Sequence, residues 1–198
     1  FYSAENIVYV YGPTDEKTLA LHSKYKKMLC QINAACRTPG ALTENSEEAN
    51  AELLSKLSLK FPNIIGAICD DSTVGSADIV DEKNFAKRYA ALKKYNSKLK
   101  MYSVIYAHEL YKNFSRILPY VDVVNLWIWD MDQLLQTEEI ISACQEKFPG
   151  KSIIAGIFLH EYGVTDAQNH PKLLTYQLDK IREFIYKDIV EGIIILGD

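Results

Sequence analysis

The chain has 198 residues, of which 48% are hydrophobic and 24% charged, and its formal net charge is -4. These values are typical of one ordinary folded domain with a sizeable core, and they exclude a disordered chain. The acidic balance and the absence of a Lys/Arg-rich block argue against nucleic acid as a partner, because binding to phosphates depends on basic side chains. No run approaches the roughly 18 apolar residues of a membrane-spanning helix, so no membrane span is predicted.

Short apolar runs typical of buried β-strands recur along the chain. They cover seven ranges, 6–11, 27–33, 63–70, 99–106, 121–129, 152–159 and 190–196. Amphipathic helical patterns separate several of them, most clearly at 46–59, 131–148 and 171–186. Asn45, three residues before Glu48, predicts a helix start, and Phe148-Pro149-Gly150 predicts a helix end.

The alternation of strands and helices predicts an α/β fold with a parallel sheet, because the strands are apolar on both faces. No GxGxxG or P-loop motif follows the first strand, which favours a (β/α)8-type TIM barrel over an open nucleotide-binding sheet. A complete barrel takes about 250 residues, so seven strands predict a barrel that is unusually spare or lacks a terminal β/α unit. We expect a single domain over residues 1–198. The start of the chain has neither an initiator Met nor a signal-peptide pattern, which predicts a processed form or a fragment.

Side-chain alternation predicts which residues face the interior of the barrel, since successive side chains of a strand point to opposite sides. The expected inward set is polar or aromatic and consists of Tyr9, Tyr11, Gln31, Asn33, Tyr106, His108, Asn125, Trp127 and Trp129. Sugar rings stack on indole rings, and ligand sites combine apolar walls with a few polar groups. We therefore predict that this set, with Tyr162, binds substrate. Core packing is the alternative for both tryptophans, and a surface position is the alternative for His108.

Acidic side chains follow several of the predicted strands, and active sites of β/α barrels form at the carboxyl ends of the strands. Asp70 and Asp71 follow the third strand, Asp130 the fifth and Glu161 the sixth. Carboxylates gathered in a partly desolvated mouth repel one another, which raises one pKa and leaves another group ionised. Glycoside hydrolysis uses such a pair, spaced roughly 5 Å for retention and roughly 6.5 to 9.5 Å for inversion.

We predict Asp70, Asp71 and Glu161 as catalytic residues, with Glu161 as the partner of one of the two aspartates. Because adjacent side chains alternate, Asp70 and Asp71 cannot both face inward while the strand continues, so one is expected to reach the substrate and the other to hold a loop. The alternative for an aspartate at a strand end is a helix N-cap.

The sequence indicates metal or thiol chemistry less strongly than carboxylate chemistry. The four cysteines, Cys30, Cys36, Cys69 and Cys144, show no CxxC spacing, which favours buried free thiols over a zinc site or disulfide framework. His and acidic residues occur at strand ends, but without HExxH or HxH spacing. No metal and no other cofactor is predicted.

Six stretches, taken in order, carry a family resemblance. They are Tyr9-Val10-Tyr11-Gly12-Pro13, Cys30-Gln31-Ile32-Asn33-Ala34, Ile65-Gly66-Ala67-Ile68-Cys69-Asp70-Asp71, Trp127-Ile128-Trp129, Gly156-Ile157-Phe158-Leu159-His160-Glu161-Tyr162-Gly163 and Glu191-Gly192-Ile193-Ile194-Ile195-Leu196-Gly197. Together they resemble a group of uncharacterised bacterial glycoside-hydrolase-like TIM-barrel proteins. The resemblance implies that fold, a secreted or periplasmic location and a further strand-helix unit beyond Gly197-Asp198. It names no reaction, because the group is hydrolase-like by fold.

Three functional hypotheses follow from the sequence. The first is a glycoside-hydrolase-like enzyme that acts on a carbohydrate through the paired carboxylates. The second is a non-catalytic carbohydrate-binding or scaffold protein on a degenerate barrel. The third is a barrel enzyme that acts on a metabolite other than a sugar, which bound phosphate at the late strand ends would indicate.

Overall fold

The computed structural model describes residues 7–11, 15–33, 46–159 and 171–196. Within these ranges, seven strands lie in one sheet in the order in which they occur along the chain. They are β1 (Ile7–Val10), β2 (Lys27–Gln31), β3 (Ile64–Cys69), β4 (Lys100–Tyr106), β5 (Val123–Trp127), β6 (Ser152–Phe158) and β7 (Val190–Leu196). This sequential order is that of a β/α barrel, because the strand order of a doubly wound open sheet reverses direction partway.

In the described ranges, five α-helices connect strands of this sheet. They are α1 (Glu16–His22), α2 (Glu47–Leu57), α3 (Lys83–Lys93), α4 (Thr137–Lys147) and α5 (Pro171–Tyr186). The connection from β4 to β5 is described throughout and holds two 3-10 turns, at Ala107–Glu109 and Leu118–Tyr120, where the sequence rhythm would place a helix. The fold is α/β with parallel strands, as predicted from the sequence.

Three local predictions can be compared directly with the structure. The helix predicted over 171–186 has those bounds. At the start of α2 the N-cap is Ser46, whose Oγ accepts from the Ala49 N–H at 3.2 Å; the predicted Asn45 lies outside the described residues. At the end of α4 the left-handed backbone of Gly150, with φ 72°, follows the helix as predicted.

The helix predicted over 131–148 is instead two elements. A 3-10 turn at Met131–Gln136 precedes α4, and the hydroxyl of Thr137 donates to the Leu134 carbonyl at 2.6 Å. The side chain of Asp130 caps the turn by accepting from the Asp132 N–H at 3.0 Å. Side-chain bonds of this kind compete with the regular helical pattern, which explains why the amphipathic stretch does not form one helix.

The described residues group into two compact units. Unit 1 comprises Phe1–Ser72, Asp81–Ser103 and Pro119–Asp122, and unit 2 comprises Thr73–Val80, Val104–Leu118 and Val123–Asp198. In unit 1 the strand pairs β1–β2 and β2–β3 are parallel, as are β3 and the first part of β4. In unit 2 the pairs β5–β6 and β6–β7 are parallel. Within each unit the carboxyl ends of the strands therefore lie along one edge.

Packing in each unit confirms the predicted facing of the strands. In unit 1 the helix-facing core contains Val8 and Val10 of β1, Met28 and Cys30 of β2, and Ala67 and Cys69 of β3, with Leu54 of α2 and Leu92 of α3. In unit 2, Leu126 and Ile128 line a small cavity with Ile141 of α4 and Ile181 of α5. The alternate positions, including Gln31, Asp70 and Trp127, consequently lie on the face turned away from the helices.

Two further findings concern cysteines and helix length. Cys30, Cys69 and Cys144 are buried free thiols, as predicted, and burial raises the pKa of each to about 12. In the described part of the chain, no helix is both long and apolar enough to cross a membrane.

Candidate functional site

The end of β3 in unit 1 carries the paired acids. The buried side chain of Asn33, just beyond β2, bonds to the backbone of Asp70 in both directions. Its Nδ2 donates to the Asp70 carbonyl, and its Oδ1 accepts from the Asp70 N–H at 2.9 Å. These two bonds extend the pairing of β2 and β3 by one residue and hold the Asp70 backbone at the strand end.

The carboxyl of Asp70 is half-buried and has an elevated pKa. Burial, together with the negative charge of the adjacent Asp71, raises the pKa of Asp70 to about 6, although a hydrogen bond from the Asp71 N–H to Oδ1 at 3.0 Å opposes the shift. A carboxyl with this pKa exchanges its proton close to neutral pH. The combination of desolvation and a like-charged neighbour is common in catalytic carboxyl pairs, although structural groups can share it.

Asp70 and Asp71 occupy different environments although they are adjacent in sequence. Asp70 continues the strand parity of Gly66 and Ile68, whereas Asp71 is exposed and adopts a left-handed backbone with φ 48°. Aspartate tolerates this conformation better than most residues, and it turns the chain sharply out of the strand. The divergence agrees with the expectation that the two carboxylates do not share one direction.

The remaining predicted residues of unit 1 lie on the same face of the sheet. Gln31 is completely buried, Tyr9 is half-buried, and Tyr11 is 55% exposed. The rings of Tyr9 and Tyr11 meet edge to face with centroids 5.9 Å apart. Of these three, Tyr11 presents the largest accessible surface for a ligand.

Unit 2 contains a continuous aromatic cluster formed by His108, Tyr106, Trp129, Phe158 and Trp127. Tyr106 stacks on the exposed His108 with ring centroids 5.5 Å apart and meets Trp129 edge to face at 5.6 Å. Phe158 contacts Trp129 at 5.7 Å and Trp127 at 4.5 Å. Four of the five rings are predicted site residues; Phe158 was not predicted, although it shares the strand parity of Gly156.

Trp127 and Asn125 form the buried base of this aromatic cluster. The indole Nε1 of Trp127 donates to Asn125 Oδ1 at 2.9 Å, and Asn125 Nδ2 donates to the Ile154 carbonyl at 3.2 Å. A Cβ atom on Gly156 would lie 2.0 Å from the Trp127 ring, so glycine is required at this close approach. Core packing, the alternative weighed for Trp127, describes its surroundings well, and the fully buried Asn125 serves to hold the indole.

Trp129 differs from Trp127 in exposure. It is 40% exposed, whereas Trp127 is 7% exposed. Tyr106 and Phe158 support Trp129 edge-on, which fixes the plane of an indole that remains open to solvent. Trp129 and His108 are therefore the accessible groups of the aromatic cluster.

Glu109 of unit 2 is a buried acid for which the sequence analysis predicted no role. Its carboxylate pairs with Lys112 Nζ at 2.7 Å, and both side chains are at most 5% exposed. The same carboxylate accepts from the Thr73 hydroxyl at 2.8 Å and from the Tyr106 N–H at 3.3 Å, while Lys112 also donates to the Thr73 carbonyl. The spacing of Glu109 and Lys112 indicates a local ion pair on a turn, but only folding adds the burial and the contact with Thr73.

Several other predicted groups have a different status. Asp130 is the N-cap of a 3-10 turn, which is the capping alternative considered for it. Glu161 and Tyr162, predicted as a catalytic and a substrate-binding residue, lie outside the described residues. Within the described ranges, no cluster of three or more His, Cys, Asp or Glu side chains is arranged to hold a metal ion.

Comparison with known proteins identifies the fold. No protein-family model and no curated protein sequence matches the chain. Among solved structures it is similar to a β-D-glucuronidase from Dictyoglomus thermophilum (TM-score 0.61, 15% identity) and a β-glucuronidase from Bacteroides uniformis (TM-score 0.59, 15% identity). It is also similar to an endo-laminarinase from Formosa, with a TM-score of 0.62 and 12% identity.

The overlap with these proteins is one-sided. Each match covers 97% of this chain but 38%, 26% and 68% of the respective neighbour. The chain thus spans less than two fifths of either glucuronidase. The similarity shows a glycoside-hydrolase-like α/β fold of the TIM-barrel type, and at this identity it shows the fold alone.

Proposed function

We propose that this chain is a glycoside-hydrolase-like enzyme that acts on a carbohydrate, with Asp70 as one reacting carboxyl and Glu161 as its partner. The observation that carries the proposal is the half-buried Asp70 carboxyl, whose pKa of about 6 differs from that of an ordinary aspartate. Glycosidic cleavage needs one carboxyl that holds a proton and another that stays ionised. Asp70 is proposed to supply one of these carboxyls and Glu161 the other, with Asp71 acting on Asp70 as its like-charged neighbour.

The aromatic cluster of unit 2 is proposed as a sugar-binding surface. The open indole of Trp129 offers a flat apolar face, and His108 stacked on Tyr106 adds a polar edge. Apolar C–H faces of sugars pack on such rings, while hydroxyl groups need hydrogen-bonding partners nearby. Tyr11 is proposed as an accessible aromatic contact in unit 1 on the same grounds of ring type and exposure.

Turnover by point variants tests the catalytic assignment. The probes are laminari-oligosaccharides, an aryl β-D-glucuronide and a pooled oligosaccharide mixture, with release of reducing ends or aryl alcohol as the readout. Asp70→Asn is expected to lower kcat by at least about 100-fold, the usual contribution of a general acid or base, while the variant remains folded. Asp130→Asn is the matched control, since Asp130 caps a turn and is expected to leave kcat unchanged.

The result that would overturn the catalytic assignment is full activity in both Asp70→Asn and Asp71→Asn. A pH profile adds a second check, because the activity should change through about pH 6. Activity that falls as pH rises through this value identifies Asp70 as an acid, and activity that rises identifies it as a base or nucleophile.

The non-catalytic alternative is favoured by one observation. Trp129 is open to solvent and is held by Tyr106 and Phe158 through ring contacts that involve no carboxylate. A binding protein would retain affinity for the same oligosaccharides in Asp70→Asn and lose it in Trp129→Ala. Calorimetric titration of both variants, with turnover absent in the wild type, would support this alternative.

A further inference from the structure

The side-chain amide of Asn33 takes the place of a backbone peptide group at the end of the β2–β3 pair. The Ile32 N–H donates to the Ile68 carbonyl at 3.1 Å, which is an ordinary backbone bond of the parallel pair. One residue further, Asn33 supplies both a donor and an acceptor to Asp70 from its side chain. The Asn33 side chain is thereby joined to the Asp70 backbone just beyond the last residues of β2 and β3.

The amide is itself held firmly in place. Asn33 is 4% exposed, and the preceding carbonyl, that of Ile32, accepts from Asn50 Nδ2 of α2 at 2.9 Å. Buried side-chain amides that are bonded in this way have little freedom to rotate. The position of the Asp70 backbone is consequently tied to β2 and to α2.

Immediately after this clamp the backbone changes direction. Asp71 has φ 48°, and its N–H donates to Asp70 Oδ1 at 3.0 Å. Asp70 thus has its backbone bonded to Asn33 and its carboxylate bonded to the next peptide group. The two sets of bonds together keep the Asp70 side chain on the face turned away from the helices and half-buried.

We infer that Asn33 is a positioning residue for Asp70, holding the Asp70 carboxyl in its desolvated place next to Asp71. The inference deepens the proposed function, on which its catalytic meaning rests, but the geometry and its test are independent of turnover. Asn33 was predicted from the sequence to contact substrate; the inference gives its amide a role within the protein.

The charged groups near this strand end act on two different residues. Asp71 is the charged neighbour that acts on Asp70, whereas Arg88 and Glu47 act on the preceding residue, Cys69, on the helix-facing side. Arg88 pairs with Glu47, so these opposite charges largely offset each other. A change at Asn33 should therefore act on Asp70 through position and hydration.

Carboxyl-carbon NMR of the full chain measures the titration of Asp70, with Asp70→Asn used to assign the signal. In Asn33→Ala the Asp70 N–H and carbonyl lose their partners, the strand end opens to water, and the pKa of Asp70 should fall from about 6 by about one unit or more. Asn63→Ala is the matched control, because Asn63 lies at the opposite end of β3, where its Nδ2 donates to the Tyr25 carbonyl at 2.8 Å. This control should leave the Asp70 titration unchanged.

Aspartate has nearly the same shape as asparagine, and Asn33→Asp is expected to change the pKa of Asp70 in the opposite direction to Asn33→Ala. Its carboxylate can still accept from the Asp70 N–H, but it cannot donate to the Asp70 carbonyl and it adds a negative charge. Like charges disfavour ionisation, so the pKa of Asp70 should rise above the wild-type value. If Asn33→Ala does not fold, Asn33→Ser, which also removes the amide and adds no charge, carries the test with the same expected fall in the pKa of Asp70.

An Asp70 titration that stays at the wild-type value in the folded Asn33 variants would overturn the inference and leave Asn33 with a purely structural role. Where the wild type turns over an oligosaccharide, the inference expects Asn33→Ala to lower kcat with little change in KM, because the amide acts through Asp70. Absence of turnover in the wild type would reject the proposed function, while the NMR titration would still decide the inference.

Discussion

Asp70 and Glu109 are both acidic side chains withdrawn from solvent beyond the end of a parallel strand, but their surroundings are opposite. Glu109 accepts from a lysine, a hydroxyl and a backbone N–H within unit 2. Asp70 in unit 1 accepts from the backbone N–H of Asp71 and lies beside the Asp71 carboxylate. Burial is therefore compatible with either a structural or a reactive acid, and the bonding partners distinguish the two.

The two acids also differ in their expected effect on stability. A buried carboxylate with a full set of partners stabilises the turn that carries Tyr106 and His108. A half-buried carboxyl with a like-charged neighbour costs stability when it ionises, a cost that functional sites commonly carry. Four measurements test this contrast.

The largest effect is expected for the Glu109 ion pair. Glu109→Gln leaves the Lys112 ammonium buried without its counter-charge, so the free energy of unfolding should fall by about 3 to 5 kcal/mol. Urea denaturation measures the loss. Glu52→Gln, which removes an exposed ion pair with Lys94, is the control and should leave stability unchanged within error. A negligible loss in Glu109→Gln would contradict the structural assignment of this acid.

Asp122 of unit 1 is partly buried, like Asp70, but accepts hydrogen bonds from several donors, like Glu109. Burial opposes its ionisation, but hydrogen bonds from Lys93, the Met101 N–H and Tyr89 together hold its pKa below the ordinary value. Asp122→Asn should cost about 2 kcal/mol at pH 7. The stabilisation is present above the unfolded-state pKa and is lost as pH falls through the lower folded-state pKa, so the difference should shrink below about pH 4. Equal losses at pH 3 and pH 7 would contradict the electrostatic origin.

Asp70→Asn should raise the free energy of unfolding, whereas Asp122→Asn should lower it. A folded-state pKa of about 6 against an ordinary 3.8 means that the favourable contribution of the protonated form is complete below about pH 4 and is lost as pH rises through 6. The neutral amide avoids that loss, so the variant should gain about 1 to 2 kcal/mol at pH 7.5, after allowance for solvent screening, and gain nothing at pH 4. Urea denaturation at both pH values checks this; a variant less stable at pH 7.5 would be inconsistent with a carboxyl that is destabilised by ionisation.

The smallest effect concerns Asp71. Asp71→Asn removes the like charge but leaves the burial of Asp70, which is the larger cause of its shift, so the pKa of Asp70 should fall by about half a unit. Carboxyl-carbon NMR detects a change of this size. Asp71→Glu keeps the charge and is expected to keep the Asp70 titration in place. An unchanged titration in Asp71→Asn would mean that the two carboxyls do not interact.

Local sequence patterns were sufficient to predict much of this fold. The seven strands lie where apolar runs occur, and α5 begins at Pro171 as predicted, because hydrophobic periodicity and the backbone limits of proline act over a few residues. Alternation also predicted that Asn33 and Trp127 lie on the face turned away from the helices, which agrees with the packing of Cys30 and Leu126 on the helix side, but it left open whether Asp70 or Asp71 does so. The missing helix between β4 and β5 and the 3-10 turn before α4 depend on specific capping bonds that periodicity does not encode.

The site depended on contacts between residues distant in sequence. Asn33 lies 37 positions from Asp70, and Thr73 lies 36 positions from Glu109, so no local pattern could pair them. The residue types predicted that acids and aromatics gather at strand ends. The folded structure pairs the buried Glu109 carboxylate with Lys112 and leaves Asp70 with an elevated pKa. Both outcomes depend on the tertiary structure, because desolvation and hydrogen bonding act through space and not along the chain.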